Sequence, residues 1–426
     1  MKKSSLFVGF AAATAVALAL TGCTGGAPAG KSGSGDGKLV SYMIGQPDTP
    51  EQLNALKGEL ATFTKQTGVK VDLQVIPSND TLRTLVQTRL RSATGPDLFA
   101  YDTGPGFAGV LAKAGLLYDL TAHAKQQNWP FFEWTKPSVT FSGKFYGQPD
   151  QIEEVGIYYN KDLFKQLNLP APTTMADLNT AAAGLKKAGK IPFATGDKEA
   201  WEGGHLLSMA LAGQVGAQPM ADLIGGKSDW NSTGVKNALG SWAGFQKAGY
   251  LPPSPNGINY DNSNALFFSG KAGMDATGTW LIRNMKDSAK FDVGFVPFPA
   301  PSGPAVPTTG LGGGTFMNAQ SKHVTAALKL LDFFVSAHHG QFELSNYTIP
   351  AFPVDATKAH VSPLFQQVVS DTAAYAKSGS GTGQNIDVAA TDVFNKAMWD
   401  GMQGILGGQK TPAQVAQSLQ TAAQKK

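Results

Sequence analysis

Three short apolar runs decide the fold: LVSYMI at residues 39–44, VKVDLQVI at 69–76 and DLFAY at 97–101. In the second, Val69, Val71, Leu73 and Val75 alternate with polar residues, the period-two pattern of a strand with one better-buried face. Two stretches with helical spacing lie between the runs. Glu51–Gln66 is amphipathic and is closed by Gly68, a residue type suited to the left-handed turn at a helix end. Thr81–Ser92 is the other. A strand-helix-strand-helix-strand series is the signature of an open sheet with crossover helices.

The alternation resumes after Lys144-Phe145-Tyr146-Gly147-Gln148-Pro149. A strand is predicted at Val155–Asn160, a short helix at Lys161–Leu167, a helix opened by the capping pair Thr174-x-x-Asp177, and a strand at Ile191–Ala194. Helices follow at about 203–212, 233–248 and 263–269, then strands at Ala272–Ala276 and Phe291–Phe298. Gly312-Gly313-Gly314 precedes another short strand, and the chain from Lys322 reads as nearly all helical. Thr411-Pro412 marks the last helix start, with Thr as cap and Pro in the first turn.

The chain has 426 residues, 42% apolar and 15% charged, room for two or three domains. Lys plus Arg is 35 and Asp plus Glu is 31, with no long basic tract, so nucleic acid is not an expected partner. The single cysteine excludes intramolecular disulfides and multi-thiolate metal sites. Its position is informative. Lys2 and Lys3 precede an apolar run from Leu6 to Leu20, shorter than the roughly 20 residues of a membrane span, and then comes Leu20-Thr21-Gly22-Cys23. That stretch resembles a bacterial lipobox. The resemblance implies a signal peptide over 1–22, a lipid on Cys23, and a tether over 23–38 holding the protein to the extracytoplasmic face of the membrane by lipid alone. Fifteen Gly/Ser-rich residues span roughly 20 Å.

Two motif matches fail in context. Gly25-x4-Gly30-Lys31-Ser32 fits a phosphate loop, but it lies in the tether with no strand before it. Gly104-Pro105-Gly106-Phe107-Ala108-Gly109 is a G-x-G-x-x-G after a strand, yet no second strand ends in an acid about 20 residues on, and Pro105 removes a backbone donor. A tight turn at a cleft rim is the expectation. Glu153-Glu154 are adjacent on a strand and point to opposite faces, so they cannot flank one bond. His338-His339 is expected at a helix end as solvated caps. No nucleophile–base pair, metal set or cofactor motif makes a case for an enzyme.

Several ordered blocks carry a family resemblance: FTKQTGVKV at 63–71, GPDLF at 95–99, AGLLYDL at 114–120, GKFYG at 143–147, VGIYYNKD at 155–162, FSGKAGM at 268–274 and GTW at 278–280. Together with the Thr411-Pro412 helix, they resemble family 1 extracellular solute-binding proteins, the substrate-binding lipoproteins of ABC importers, mostly for sugars. The resemblance implies an α/β fold of two lobes with a ligand cleft between them and hinge crossings joining them. Lobe one is placed at 38–149 plus 290–338 and lobe two at 150–289 plus 339–426, with crossings near Pro149, Phe291 and His338-His339. A monomer that captures a mono- or oligosaccharide and passes it to permease subunits is expected.

Matching the blocks to the maltose-binding branch places Tyr101 and Asp102 on one contact region, Glu153 on a second, Trp201 near a third and Trp280 on a fourth. Gln46 and Asp48, after the first strand, are candidates for hydroxyl contacts, and Gly313 for a close backbone approach. Aromatic rings stack on pyranose faces, and carboxylates bond hydroxyls. Asp102 has a second reading, as cap of the helix near Phe107. Trp129, Trp134, Trp230 and Trp242 match no contact position and read as structural. The alternatives are a non-sugar solute such as a phosphate ester, which calls for arginines in the cleft, or a secreted hydrolase.

Overall fold

The structure, a computed structural model, describes residues 37–47, 49–378 and 381–425. The expected signal segment, Cys23, nearly all of the tether and Asp48 lie outside them. Two sheets organise the described chain. The first runs in the order Lys70–Ile76, Leu39–Gly45, Leu98–Asp102, Gly313–Met317, Gly147–Pro149. Its first three strands are parallel, joined by helices Pro50–Thr67 and Asn79–Arg91, as the period patterns predict. The first helix opens on a reciprocal capping box between Thr49 and Gln52 and closes on Gly68 at φ +72°. Ser78 caps the second.

The second sheet is built around the long strand Gln151–Asn160. Ala272–Gly278 and Thr308–Gly310 flank it, with Ile191–Ala194 and Gly383–Gln384 outside them. Val293–Val296 and Ile349–Pro350 also pair with Gln151–Asn160. Helices Trp201–Val215, Thr233–Lys247, Asp392–Leu406 and Pro412–Ala423 cover this sheet and enclose Trp230, Trp242 and Phe193. Each fully buried Leu or Phe of that core contributes ~1.5–3 kcal/mol.

The strands correct the lobe boundaries. The Phe291–Phe298 segment, expected in lobe one, pairs antiparallel with Gln151–Asn160, and the Phe295 ring packs, tilted, 4.7 Å from that of Tyr158. A short connection from helix Ile282–Ser288 leaves the chain beside its own sheet, where adjacency is favoured over a crossing. The chain passes from the first sheet to the second at Asp150, and returns over Leu311-Gly312. It leaves again after helix Val324–Phe334, whose Phe333 and Phe334 pack on Phe63 and Tyr42.

His338-His339 is also corrected. The pair opens helix Ala337–Ser345 instead of ending one, because Ser336 accepts from the His339 N–H and sets the start there. His339 is buried and bonded by Glu59 at 3.0 Å and Glu343 at 3.2 Å. No helix among the described residues is long and apolar enough to cross a membrane.

Candidate functional site

The strand Leu98–Asp102 delivers the first group of side chains. Tyr101 lies in the core, edge-on to Phe99, and its hydroxyl accepts from Gln87 Nε2 at 2.9 Å. Asp102 is half-buried and takes two bonds from Arg83, at 2.6 Å from Nε and 2.8 Å from the terminal nitrogen. Arg83 also reaches Asp80 at 2.8 Å and lies over the Phe107 ring. The helix after Phe107 has no side-chain cap, so the capping role for Asp102 is replaced by this bidentate pair. Both glycines of the Gly104-Pro105-Gly106 turn are required. At Gly104, φ is +83° and a Cβ would fall 1.9 Å from the Val388 carbonyl oxygen; at Gly106 it would fall 2.9 Å from that of Ala390. The motif docks one lobe on the other.

Glu153 lies in the central strand of the second sheet and not at an edge. Gln151 Nε2 donates to it at 2.7 Å, and Gly312 leaves it room, since a Cβ there would lie 2.5 Å from its Oε2. Burial pushes its carboxyl up to about 7. Glu154 faces away toward Asp371, and burial raises it to about 8. Gly313 pairs with Asp102 across the first sheet, and Gln46 is exposed, bonding only its neighbour Pro47 through its side chain.

Trp201 and Trp280 come together, with ring centroids 6.3 Å apart. Tyr260 lies 4.9 Å from Trp201 and accepts from Trp280 Nε1 at 2.7 Å, and His205 lies 5.1 Å and 5.0 Å from the two indoles. Trp280 lies flat over Gly278, where a Cβ would meet its ring at 1.9 Å. Acids surround this cluster. Asp197, Glu202, Asp275 and Asp387 are buried, and Gly203 and Gly204 allow Asp197 and Asp387 to press against the first turn of helix Trp201–Val215. Burial raises Asp197 and Asp387 to about 7 and Asp275 to about 8, holds Glu202 well above its ordinary range, and lowers His205 to about 3, leaving it neutral at pH 7. Among the described residues, both Glu202 oxygens, Asp197 Oδ2, Asp387 Oδ1 and His205 Nδ1 have no hydrogen-bond partner. Asp387 Oδ2 accepts from Trp399 Nε1 at 3.3 Å, and Trp399 faces Phe107 at 6.4 Å. Among the described residues no group of three or more His, Cys, Asp or Glu is placed to hold a metal ion.

Residues 46–339 match the model of the bacterial extracellular solute-binding proteins. The chain belongs to that family. It is a family of solute-binding proteins, not of enzymes. Similar relatives include an uncharacterized ABC transporter extracellular-binding protein of Pyrococcus horikoshii, 25% identical over 260 residues, covering 59% of this chain and 57% of the relative. The chain is also 30% identical over 353 residues to a maltooligosaccharide ABC transporter solute-binding lipoprotein of Streptococcus pneumoniae serotype 4, covering 76% of this chain and 75% of the relative. The solved structure of a chitin oligosaccharide binding protein superposes with a TM-score of 0.78 at 22% identity, over 90% of this chain and 98% of that one. That likeness shows the two-lobed fold.

Sequence reading missed most of this solute-binding protein's ring-and-carboxylate wall: Asp197, Glu202, His205, Tyr260, Asp275, Asp387 and Trp399, with Arg83 opposite. One signal was available. Trp201-x-x-x-His205 falls on one helix face, and a Gly203-Gly204 pair inside a helix marks something packed close against its backbone. Nothing local marks Arg83 or Asp387. Trp129, Trp230 and Trp242 are buried with their N–H groups bonded. Trp134, read as structural, is instead 41% exposed.

Proposed function

We propose that this solute-binding protein captures a mono- or oligosaccharide between its lobes, closes over it by bending at the three chain crossings, and delivers it to the permease of an ABC importer. The observation that carries the reading is a ring wall beside unpartnered buried oxygens: Trp201, Tyr260 and Trp280 next to Glu202, Asp197 and Asp387. C–H faces of a pyranose stack on such rings, and its hydroxyls complete the carboxyl groups' hydrogen bonds. Glu153 adds an acceptor, the Arg83–Asp102 pair and Phe107 close from the other lobe, and Gln46 and Gly313 form the rim. Tyr101, held in the core, fixes the strand that carries Asp102. The name of the pneumococcal relative supports a sugar ligand. A phosphate ester is disfavoured, because Arg83 is already bonded to two acids and the facing wall is acidic.

Ligand touching both lobes favours the closed state. Saturating sugar is expected to lower the radius of gyration in small-angle scattering and to raise the melting temperature. Tight binding with an unchanged radius would refute closure. The protein acts as a monomer anchored through lipid on Cys23, where stable retention needs more than one short acyl chain. Cys23→Ser should leave it in the soluble fraction; firm retention of the variant in the membrane fraction would refute the anchor.

A further inference from the structure

We infer that the protein has a second carbohydrate site, in an open cavity of about 550 Å³ between Trp134 on the first lobe and the 309–311 and 384–389 segments of the second. Its volume lies inside the roughly 300–1,000 Å³ of small-molecule sites. None of its lining residues belongs to the Trp201–Trp280–Asp387 wall. The segment that presents Asp387 to Trp399 instead turns Val388 and Ala389 toward this cavity.

The lining specifies the chemistry of the occupant. Among the described residues no charged side chain lines the cavity, so what they offer a ligand is neutral. Trp134 is the one exposed tryptophan among the described residues, at 41%, and its ring stacks on no other described ring. An indole left open beside a cavity suits the apolar face of a sugar ring. Around it are neutral donors and acceptors. Thr309 and Thr382 share a hydroxyl bond at 2.7 Å that leaves lone pairs to spare, and the Gln384 carboxamide has no hydrogen-bond partner among the described residues. An aromatic face, amides and hydroxyls without charge fit a neutral saccharide of one or two rings. The inference stands on these residues and does not need the cleft reading above.

Fluorine NMR of protein labelled with 5-fluorotryptophan tests it, with the Trp134 and Trp280 signals assigned by single Trp→Phe variants. The probes are maltose, lactose, cellobiose and xylobiose, each titrated up to its solubility. At least one should shift the Trp134 signal with a midpoint separate from any at Trp280. Trp134→Ala, followed through the remaining lining by calorimetry, and Gln384→Ala should each weaken that second event tenfold or more while moving the Trp280 midpoint less than twofold. A Trp134 signal that moves only in step with Trp280 reports closure of the cleft alone and overturns the inference. A response at Trp280 with none at Trp134 overturns it and leaves the cleft reading standing. Silence at Trp134 with all four sugars overturns it whatever Trp280 does.

Discussion

On the first-sheet side of the cleft, Asp102 receives two N–H groups from Arg83, which also holds Asp80, so its carboxylate is already bonded within the lobe. On the second-sheet side, Glu202, Asp197 and Asp387 are buried, each with at least one oxygen that has no partner among the described residues, and the histidine among them is neutral. A hydroxyl arriving at a matched pair exchanges one bond for another. One arriving at an unpartnered buried oxygen gains most of a hydrogen bond, because the desolvation cost is already present. In the proposed reading, the second-sheet lobe therefore supplies most of the affinity, and the first acts as an ordered lid.

The largest effect expected of that asymmetry is at Trp280. Trp280→Ala should cost ~2 kcal/mol or more of binding, about thirtyfold in Kd, while the ligand-free protein stays folded. Calorimetric titration with a scanning melt separates the outcomes: normal binding with a lowered Tm would make the ring structural. Next is Gly104→Ala, where a left-handed backbone and the Val388 carbonyl both oppose a Cβ. It should hold the lobes apart and weaken binding about tenfold, ~1.4 kcal/mol, with a larger radius of gyration in the presence of sugar. Arg83→Gln frees Asp102 at a half-exposed position, and a loss of only ~1 kcal/mol, about fivefold, is expected. A loss there equal to that of Trp280→Ala would reverse the assignment of lid and binding face.

The smallest effect is with pH. Burial opposes charge on His339, but hydrogen bonds to Glu343 and Glu59 outweigh it and raise the group to about 9. Its bound proton stabilises the fold fully below the ordinary value of ~6.5, and that contribution is lost as pH rises through about 9. Asp197 and Asp275, raised to about 7 and 8, act in the same direction, since the folded chain holds protons that the unfolded chain has released. His205 opposes them only below its ordinary value. The Tm of ligand-free protein should therefore fall between pH 6.5 and 9, and fall less with sugar bound to the ionising carboxylates. His339→Gln should lower the Tm more at the acid end of that window than at the alkaline end. Parallel pH profiles with and without sugar would separate the carboxylates from the ligand.

The parallel half of the first sheet was legible because each strand and helix there carries its own period and cap, from the Val69–Val75 alternation to Gly68. The lobe boundary at Phe291 was not, because an apolar run states that a strand exists and not which sheet it joins. Asp102 shows the same limit at the site. Its spacing to Phe107 suggests a cap, and only the folded chain brings Arg83 from 19 residues earlier to claim the carboxylate. Trp201 and Trp280 could be singled out one by one, while Asp387 entered their neighbourhood from the far end of the chain.

Titration calorimetry with a panel of neutral mono- and oligosaccharides, each set against its phosphate ester, bears most directly on the proposed cleft. A neutral sugar should bind tightly with its affinity lost in Trp280→Ala, and its phosphate should bind far more weakly against the buried acids. Tight binding of the phosphate, with the neutral sugars silent or indifferent to Trp280, would contradict the proposal.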